Sequence, residues 1–310
     1  MSLSAIPTAD ELERSGYVAR RRWFGRAMAV LMFLSAGLSV FVTTSIVVIL
    51  VGESWSFFRE VPLLDFLTGT VWTPVFTDAR FGILPLLAAT LQVATLALLI
   101  AIPLGTVMAV YLSEYASVRV REIVKPALEM LEAVPTVVYG YFALLVLTPF
   151  FQQFIPGLAS INLLVPSIVL GIMILPYVVS VSEDAMRAVP TGLREGAYAL
   201  GMARWQVALR VVIPGAFSGI TAAYILGMSR AVGETMVLAV AAGQNPNLTL
   251  DPREGAATIT AYIVQMSLGD LPHGSLAYST IFSTGLVLFL ITLGFNVAGF
   301  WLRRRFREVY

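Results

Sequence analysis

Long apolar runs alternate with short polar connections along most of this chain. Six runs are long enough to cross a bilayer: 28–51, 83–112, 133–154, 163–182, 215–243 and 276–302. Each reaches the roughly 20 residues that an apolar helix needs to span the hydrocarbon layer. The pattern predicts an all-α polytopic membrane protein with six transmembrane helices. The second run is longer than a span requires and contains Pro103, so a tilt or kink is expected there. The fourth run carries Pro166 and Pro176. Two further apolar stretches are too short to cross. Residues 66–76 are aromatic and interrupted by Gly69 and Pro74, which suggests an interfacial segment. Residues 256–268 suggest a short external or re-entrant helix.

The polar connections fix an orientation. Sixteen of the twenty basic residues fall on one side of the six-span arrangement: Arg14 to Arg26 before the first span, Arg119 to Lys125, Arg187 to Arg210, and Arg303 to Arg307. Arg59, Arg80 and Arg253 fall on the other. This bias places both termini in the cytoplasm. The chain then reads as a cytoplasmic tail (1–27), a first transmembrane helix (28–51), an external loop (52–82), a five-helix core (83–302) and a second cytoplasmic tail (303–310). The first apolar run is longer than a signal-peptide core and lacks a small-residue exit, so it is expected to remain as a span.

Composition agrees. Hydrophobic residues make up 58% of the chain, charged residues only 13%, and mean hydropathy is +0.83. A soluble domain is nearer a quarter charged. A net charge of +1 gives no electrostatic case for a nucleic-acid partner. The absence of cysteine removes disulfides, thiolate metal sites and cysteine nucleophiles. The single histidine, His273, lies in a polar stretch and is expected to be a surface residue, not a metal ligand.

The longest cytoplasmic connection, 183–214, holds the most specific signal. Pro190 forces a break, and Thr191 is placed to cap the helix after it. Leu193, Ala197 and Leu200 recur at near-helical spacing, Gly201 permits a sharp turn, and a second helical run from Arg204 is expected to end at Pro214. On physical grounds this is either a compact docking knob or an amphipathic loop on the membrane surface. The stretch resembles the EAA loop of ABC importer permeases. Glu195 stands at its first position, Ala197 at its third and Gly201 at its glycine, with Val211, Ile213 and Pro214 at the distal Ile-x-Leu-Pro. Gly196 replaces the second alanine, and Val211 and Ile213 replace isoleucine and leucine. The resemblance implies the type I importer permease fold. It also implies that this loop, with Glu195, Ala197, Tyr198, Leu200 and Gly201, docks on a cytoplasmic ATPase.

The chain has no phosphate-binding P-loop of its own. Its one lysine, Lys125, is flanked by Val124 and Pro126, whereas a P-loop requires Gly-Lys-Ser/Thr. ATP and Mg are therefore expected on a partner chain, with no cofactor or metal bound here and no catalytic residue.

The resemblance extends over most of the sequence from about residue 81. The stretches ILPLLAATLQVATLALLIAIPLG, YLSEYA, LEAVPTVVYGYFAL and MSRAVGETMVLAVAAG are similar to the phosphate-specific permease family, closest to its PstC-type members. That likeness implies an importer of inorganic phosphate in a prokaryotic inner membrane. Its partners would be a PstA-like permease, two copies of an ATPase and an extracytoplasmic phosphate-binding protein. Permeases for sulfate, molybdate or phosphonate share the scaffold and stand as alternatives. An ion-gradient-driven transporter is the alternative of a different class; such proteins carry more intramembrane ionisable groups and internal repeats, and neither is evident here.

One charged pair lies inside an apolar run. Arg230 and Glu234 are four positions apart in the fifth span, so an unbroken helix puts them on one face. Each costs about 2.5–3.5 kcal/mol at mid-membrane. Two readings stand: a structural pair that neutralises itself, or an arginine that meets an anion in the pathway, where a guanidinium fits phosphate oxygens in bidentate fashion. Thr136, Tyr139, Ser229 and Thr235 are the neutral hydrogen-bonding candidates nearby.

Overall fold

The computed structural model describes residues 17–305. The arginines at 14 and 307, and the tail segments 1–16 and 306–310, lie outside the described residues. The chain divides into a unit ending at Gly52 and a second unit from Glu53 onward.

The described part of the first unit lies in one long helix, α1 (Tyr17–Glu60), whose last eight residues, 53–60, belong to the second unit. Its apolar window has no buried residue, as suits a surface that faces lipid. Ser35 and Thr43 satisfy their hydroxyls by donating to the carbonyls of Leu31 and Ser39, one turn back.

In the second unit, α2 (Leu63–Thr68) precedes α3 (Leu84–Val110), and α3 passes directly into a π-turn at Tyr111–Tyr115. Pro103 sits within α3 without ending it. The amphipathic α4 (Val118–Ala133) and the apolar α5 (Thr136–Gln152) meet at a bend of 86°. Pro135 at this junction disfavours helical geometry in the residue before it, and Val134 is extended. After α6 (Leu164–Arg187) come α7 (Thr191–Ala199) and α8 (Arg204–Gly215), and α8 meets α9 (Phe217–Gly233) at 72°. The order closes with α10 (Met236–Ala241), α11 (Ile259–Leu268) and α12 (Leu276–Arg305). Among the described residues, four helices are long and apolar enough to cross a membrane, or up to six if each bent pair forms one span. The first, second, fourth and sixth apolar runs thus appear as continuous helices, and the third and fifth as parts of broken ones.

The core lies where α3, α6 and α9 pack together. Ala89, Val93, Ala94, Ala97 and Ala101 form the α3 stripe, and Leu170, Ile174 and Val178 of α6 lie against it. Small residues permit this closeness, as is usual between membrane helices. A Cβ on Gly105 would meet Val178 Cγ1 at 2.6 Å, and one on Gly171 would meet the Ala97 carbonyl at 2.8 Å.

Residues 66–76 differ from the expectation of an interfacial segment. Phe66 and Trp72 are buried in a cluster with Phe57, Ile83 and Tyr262, and Trp72 sits edge-on to Tyr262 with centroids 5.1 Å apart. An alternation of large aromatic side chains across Gly69 builds a small core of its own, which the breaks at Gly69 and Pro74 obscured. Within residues 256–268 the helix is shorter, Ile259–Leu268, and its first four residues are buried. His273 is exposed and edge-on to Tyr278.

Candidate functional site: a broken helix and a docking loop

The fifth apolar run breaks at the point where its charges lie. α9 ends at Gly233, Glu234 adopts extended geometry (φ −67°, ψ 134°), and α10 starts two residues later. Glycine is a weak helix former, and the break is held by side chains. Thr260 Oγ1 donates to the Glu234 carbonyl at 2.6 Å, and the Val237 amide donates to Glu234 Oε1 at 3.4 Å. The Glu234 carboxylate thus caps the amide end of α10, where the helix dipole favours negative charge.

The shared helical face expected for Arg230 and Glu234 is therefore absent, and no ion pair joins them among the described residues. Arg230 lies in the last turn of α9, with its Cζ 4.7 Å from the ring centroid of Tyr177 on α6. A guanidinium over a ring face is attracted by the ring quadrupole. Its charge also acts on Glu132, near the end of α4. Arg230 Nε and the neighbouring Ser229 Oγ are both buried without a hydrogen-bond partner. Sequence reasoning missed Tyr177 and Glu132, because both lie far from Arg230 in the chain.

The neutral candidates are distributed around this break. Thr235 sits in it and donates to the Gly233 carbonyl at 3.2 Å. Thr136 opens α5, and Tyr139 one turn later donates across the bend to the Leu131 carbonyl at 2.9 Å. α5 packs on α10 at Gly140, where a Cβ would lie 3.2 Å from Val237 Cα.

At the opposite ends of α3 and α6 lies the loop of residues 183–214. Pro190 is the cap residue of α7, and Thr191 is its first helical residue and makes no capping bond, contrary to expectation. Proline at this position is compatible with a helix start because its missing amide is not needed. Ala197 is buried, whereas Glu195, Tyr198 and Leu200 are exposed, Leu200 to 85%. Gly201 takes φ +79°, the left-handed geometry expected of a glycine turn. Its amide donates to Tyr198 and that of Met202 to Ala197. The second helical run does not end at Pro214: α8 continues through a π-turn at Ala208–Val212 to Gly215, and the break falls at Ala216. Trp205 and Leu209 add exposed apolar surface that the sequence pattern alone does not assign.

Buried charges tie this loop to the bundle. Arg194 Nη2 lies 3.1 Å from Glu114 Oε1, with side-chain exposures of 16% and 6%. Glu183, fully buried, is 3.0 Å from Lys125 Nζ and 3.3 Å from Arg121 Nε. Burial acts to lower the pKa of Lys125, but its bonds to Asp184 and Glu183 outweigh this, and the net shift is upward.

The model of the family "Binding-protein-dependent transport system inner membrane component" matches residues 101–308. The chain belongs to this family. It is 39% identical over 232 residues to the "Probable ABC transporter permease protein YqgH" of Bacillus subtilis, covering 75% of each chain. It is 32% identical to the "Phosphate transport system permease protein PstC" of Mesorhizobium japonicum, covering 94% of each. Among solved structures, a chain of the bacterial alginate ABC transporter in complex with an alginate-bound periplasmic protein superposes with a TM-score of 0.63 at 17% identity, covering 96% of this chain and 99% of that one. A chain of the MetNI methionine ABC transporter gives 0.55 at 20% identity, covering 73% and 95%. The fold is that of ABC importer permeases, and this family member is a permease subunit of such an importer.

Proposed function

We propose that this chain is a permease subunit of an ATP-driven phosphate importer in the inner membrane of a prokaryote, with both termini cytoplasmic. The observation that carries the substrate is the likeness to a PstC protein along 94% of both chains. A second, PstA-like permease completes the pathway. Two copies of a cytoplasmic ATPase supply the energy from ATP and Mg, and an extracytoplasmic binding protein delivers phosphate.

Arg230 supplies the cation of the pathway. Its unpartnered Nε and the unpartnered Ser229 hydroxyl are a buried donor pair awaiting an acceptor. A desolvated arginine binds phosphate oxygens more strongly than it would in water. Thr136, Tyr139 and Thr235 offer neutral hydrogen bonds along the same break, and Glu234 fixes its geometry. At the cytoplasmic end, α7 presents Glu195, Tyr198 and Leu200 to the ATPase, while buried Ala197 and the Gly201 turn set their direction.

Co-purification tests the assembly. The chain, expressed with its genomic neighbours and extracted in mild detergent, should bring down an ATPase and a second permease. Recovery of the chain alone, under conditions where the partners are expressed and stable, would contradict the reading.

A further inference from the structure

The end of α3 departs from α-helical geometry where it meets the docking loop. Residues Tyr111–Tyr115 form a π-turn, closed by the Ala116 amide donating to the Tyr111 carbonyl at 2.8 Å. That amide would bond the Leu112 carbonyl in an α-helix. Leu112 instead accepts from Arg121, at 3.2 Å from Nε and 3.0 Å from Nη2. The π-turn therefore has side-chain support and is not a frayed end. Such turns recur at functional positions.

Two side chains of this turn hold the docking loop. Glu114 pairs with Arg194 of α7 at 3.1 Å, almost out of solvent. Tyr115 lies under Arg204 at the start of α8, with Cζ 5.0 Å from the ring centroid. Arg194 also donates to the Met186 and Val189 carbonyls at the end of α6. One arginine thus joins α7, the end of α6 and the π-turn of α3, and a second joins α8 to the same turn. Glu183 and Asp184 hold the last turn of α6 to Arg121 and Lys125 of α4, and α7 and α8 otherwise meet the core through apolar contacts of Ala197, Val207 and Val212 with Ala109 and Met186. Apolar contacts are non-directional and permit sliding, whereas a buried ion pair resists separation because parting it leaves buried charges uncompensated.

We infer that the Glu114–Arg194 pair, supported by Tyr115–Arg204, is the link that makes the docking loop and α3 move as one body, so that displacement of the loop by the ATPase reaches the transport pathway. Glu114 and Arg194 are positioning residues: neither contacts substrate or nucleotide. The inference rests on the reading of 183–214 as the ATPase-docking loop.

Proteoliposomes of the complete importer test it, with ATP hydrolysis and uptake of radiolabelled inorganic phosphate measured on the same preparation. Glu114→Gln should retain the ATPase and hydrolyse ATP, but phosphate imported per ATP should fall at least about fivefold, the lower range of coupling between sites. An unchanged ratio overturns the inference. Should the single variant fail to assemble because Arg194 is left unpaired, Glu114→Gln with Arg194→Gln removes both buried charges. That pair should assemble and remain uncoupled, and a return of normal coupling overturns the inference.

A second measurement is independent of substrate. This chain lacks cysteine, so nitroxides can be placed on Val107→Cys of α3 and Gly192→Cys of α7. Val107 is 69% exposed, and a Cβ on Gly192 would meet nothing. Their distance distribution should be the same in nucleotide-free and ATP–vanadate-trapped complexes, and should shift or broaden on trapping in Glu114→Gln. A shift in the unaltered protein, or none in the variant, overturns the link. If the unaltered importer hydrolyses ATP but takes up no phosphate, the substrate reading fails while the distances still judge the link.

Discussion

Arg230 lies over the ring of Tyr177, and Glu234, one turn further along the sequence, has left the helix to cap the next one. The two charges have separate surroundings, and a pathway role for Arg230 separates the effects of replacing them. Arg230→Gln should assemble with normal yield and lose uptake, and Arg230→Lys should rescue poorly because an ammonium lacks the planar fork. Glu234→Gln should keep the cap through its amide oxygen and keep substantial uptake. Neutralising both should leave uptake as low as Arg230→Gln alone. The readout is uptake normalised to assembled complex; normal uptake by the double variant would show that the charges only offset one another.

Gly201 turns at φ +79° with open space where a side chain would sit. Backbone strain alone therefore opposes substitution. Gly201→Ala should cost about 1–2 kcal/mol at this turn and Gly201→Val more, since β-branched residues resist left-handed geometry. Insertion should be normal and ATPase retention reduced, measured as the ratio of co-purified ATPase to permease.

Orientation is open to direct labelling. Gly192→Cys and His273→Cys both lie at exposed positions on opposite sides of the proposed topology. An impermeant thiol reagent added to intact cells should label position 273 and not 192. Labelling of both, or of 192 alone, would reverse the assignment.

Asp251 and Arg253 pair at 2.6 Å in the loop between α10 and α11. Side-chain and backbone hydrogen bonds from Arg253 hold the Asp251 carboxyl down to about 2, against an ordinary 3.8. A lowered carboxylate pKa contributes stability above the ordinary value and loses it as pH falls toward the folded one. Hydrogen exchange of the 244–256 backbone, corrected for intrinsic rates, should be flat from pH 8 to pH 5 and increase only below about pH 3.8. A rise near neutral pH would mean that another group controls the loop.

Much of this architecture was legible in the chain. Apolar runs of membrane length locate the long helices, because in lipid every backbone group must be satisfied within the segment. Gly201 was legible because only a left-handed residue lets a short helix turn back sharply. The break at Glu234 was not, because its stabilising partner, Thr260, comes from the first turn of α11, 26 positions away in the chain. Read locally, Arg230 and Glu234 follow the i, i+4 rule, and only tertiary contacts overrule it. Glu114 was likewise hidden: a single carboxylate at the end of an apolar run looks like a helix terminus until Arg194 is placed beside it. The buried aromatic cluster around Trp72 was obscured by Gly69 and Pro74, which mark turns in sequence but shape a core in space.

Transport itself is the most direct test of the central claim. The importer, purified with its second permease and ATPase and reconstituted with its binding protein, should accumulate radiolabelled phosphate only when ATP is supplied on the loop side. Excess unlabelled phosphate should abolish accumulation, and excess sulfate or molybdate should not. ATP-dependent accumulation of sulfate or molybdate in place of phosphate would contradict the phosphate assignment, and phosphate uptake driven by an ion gradient without ATP would contradict the account as a whole.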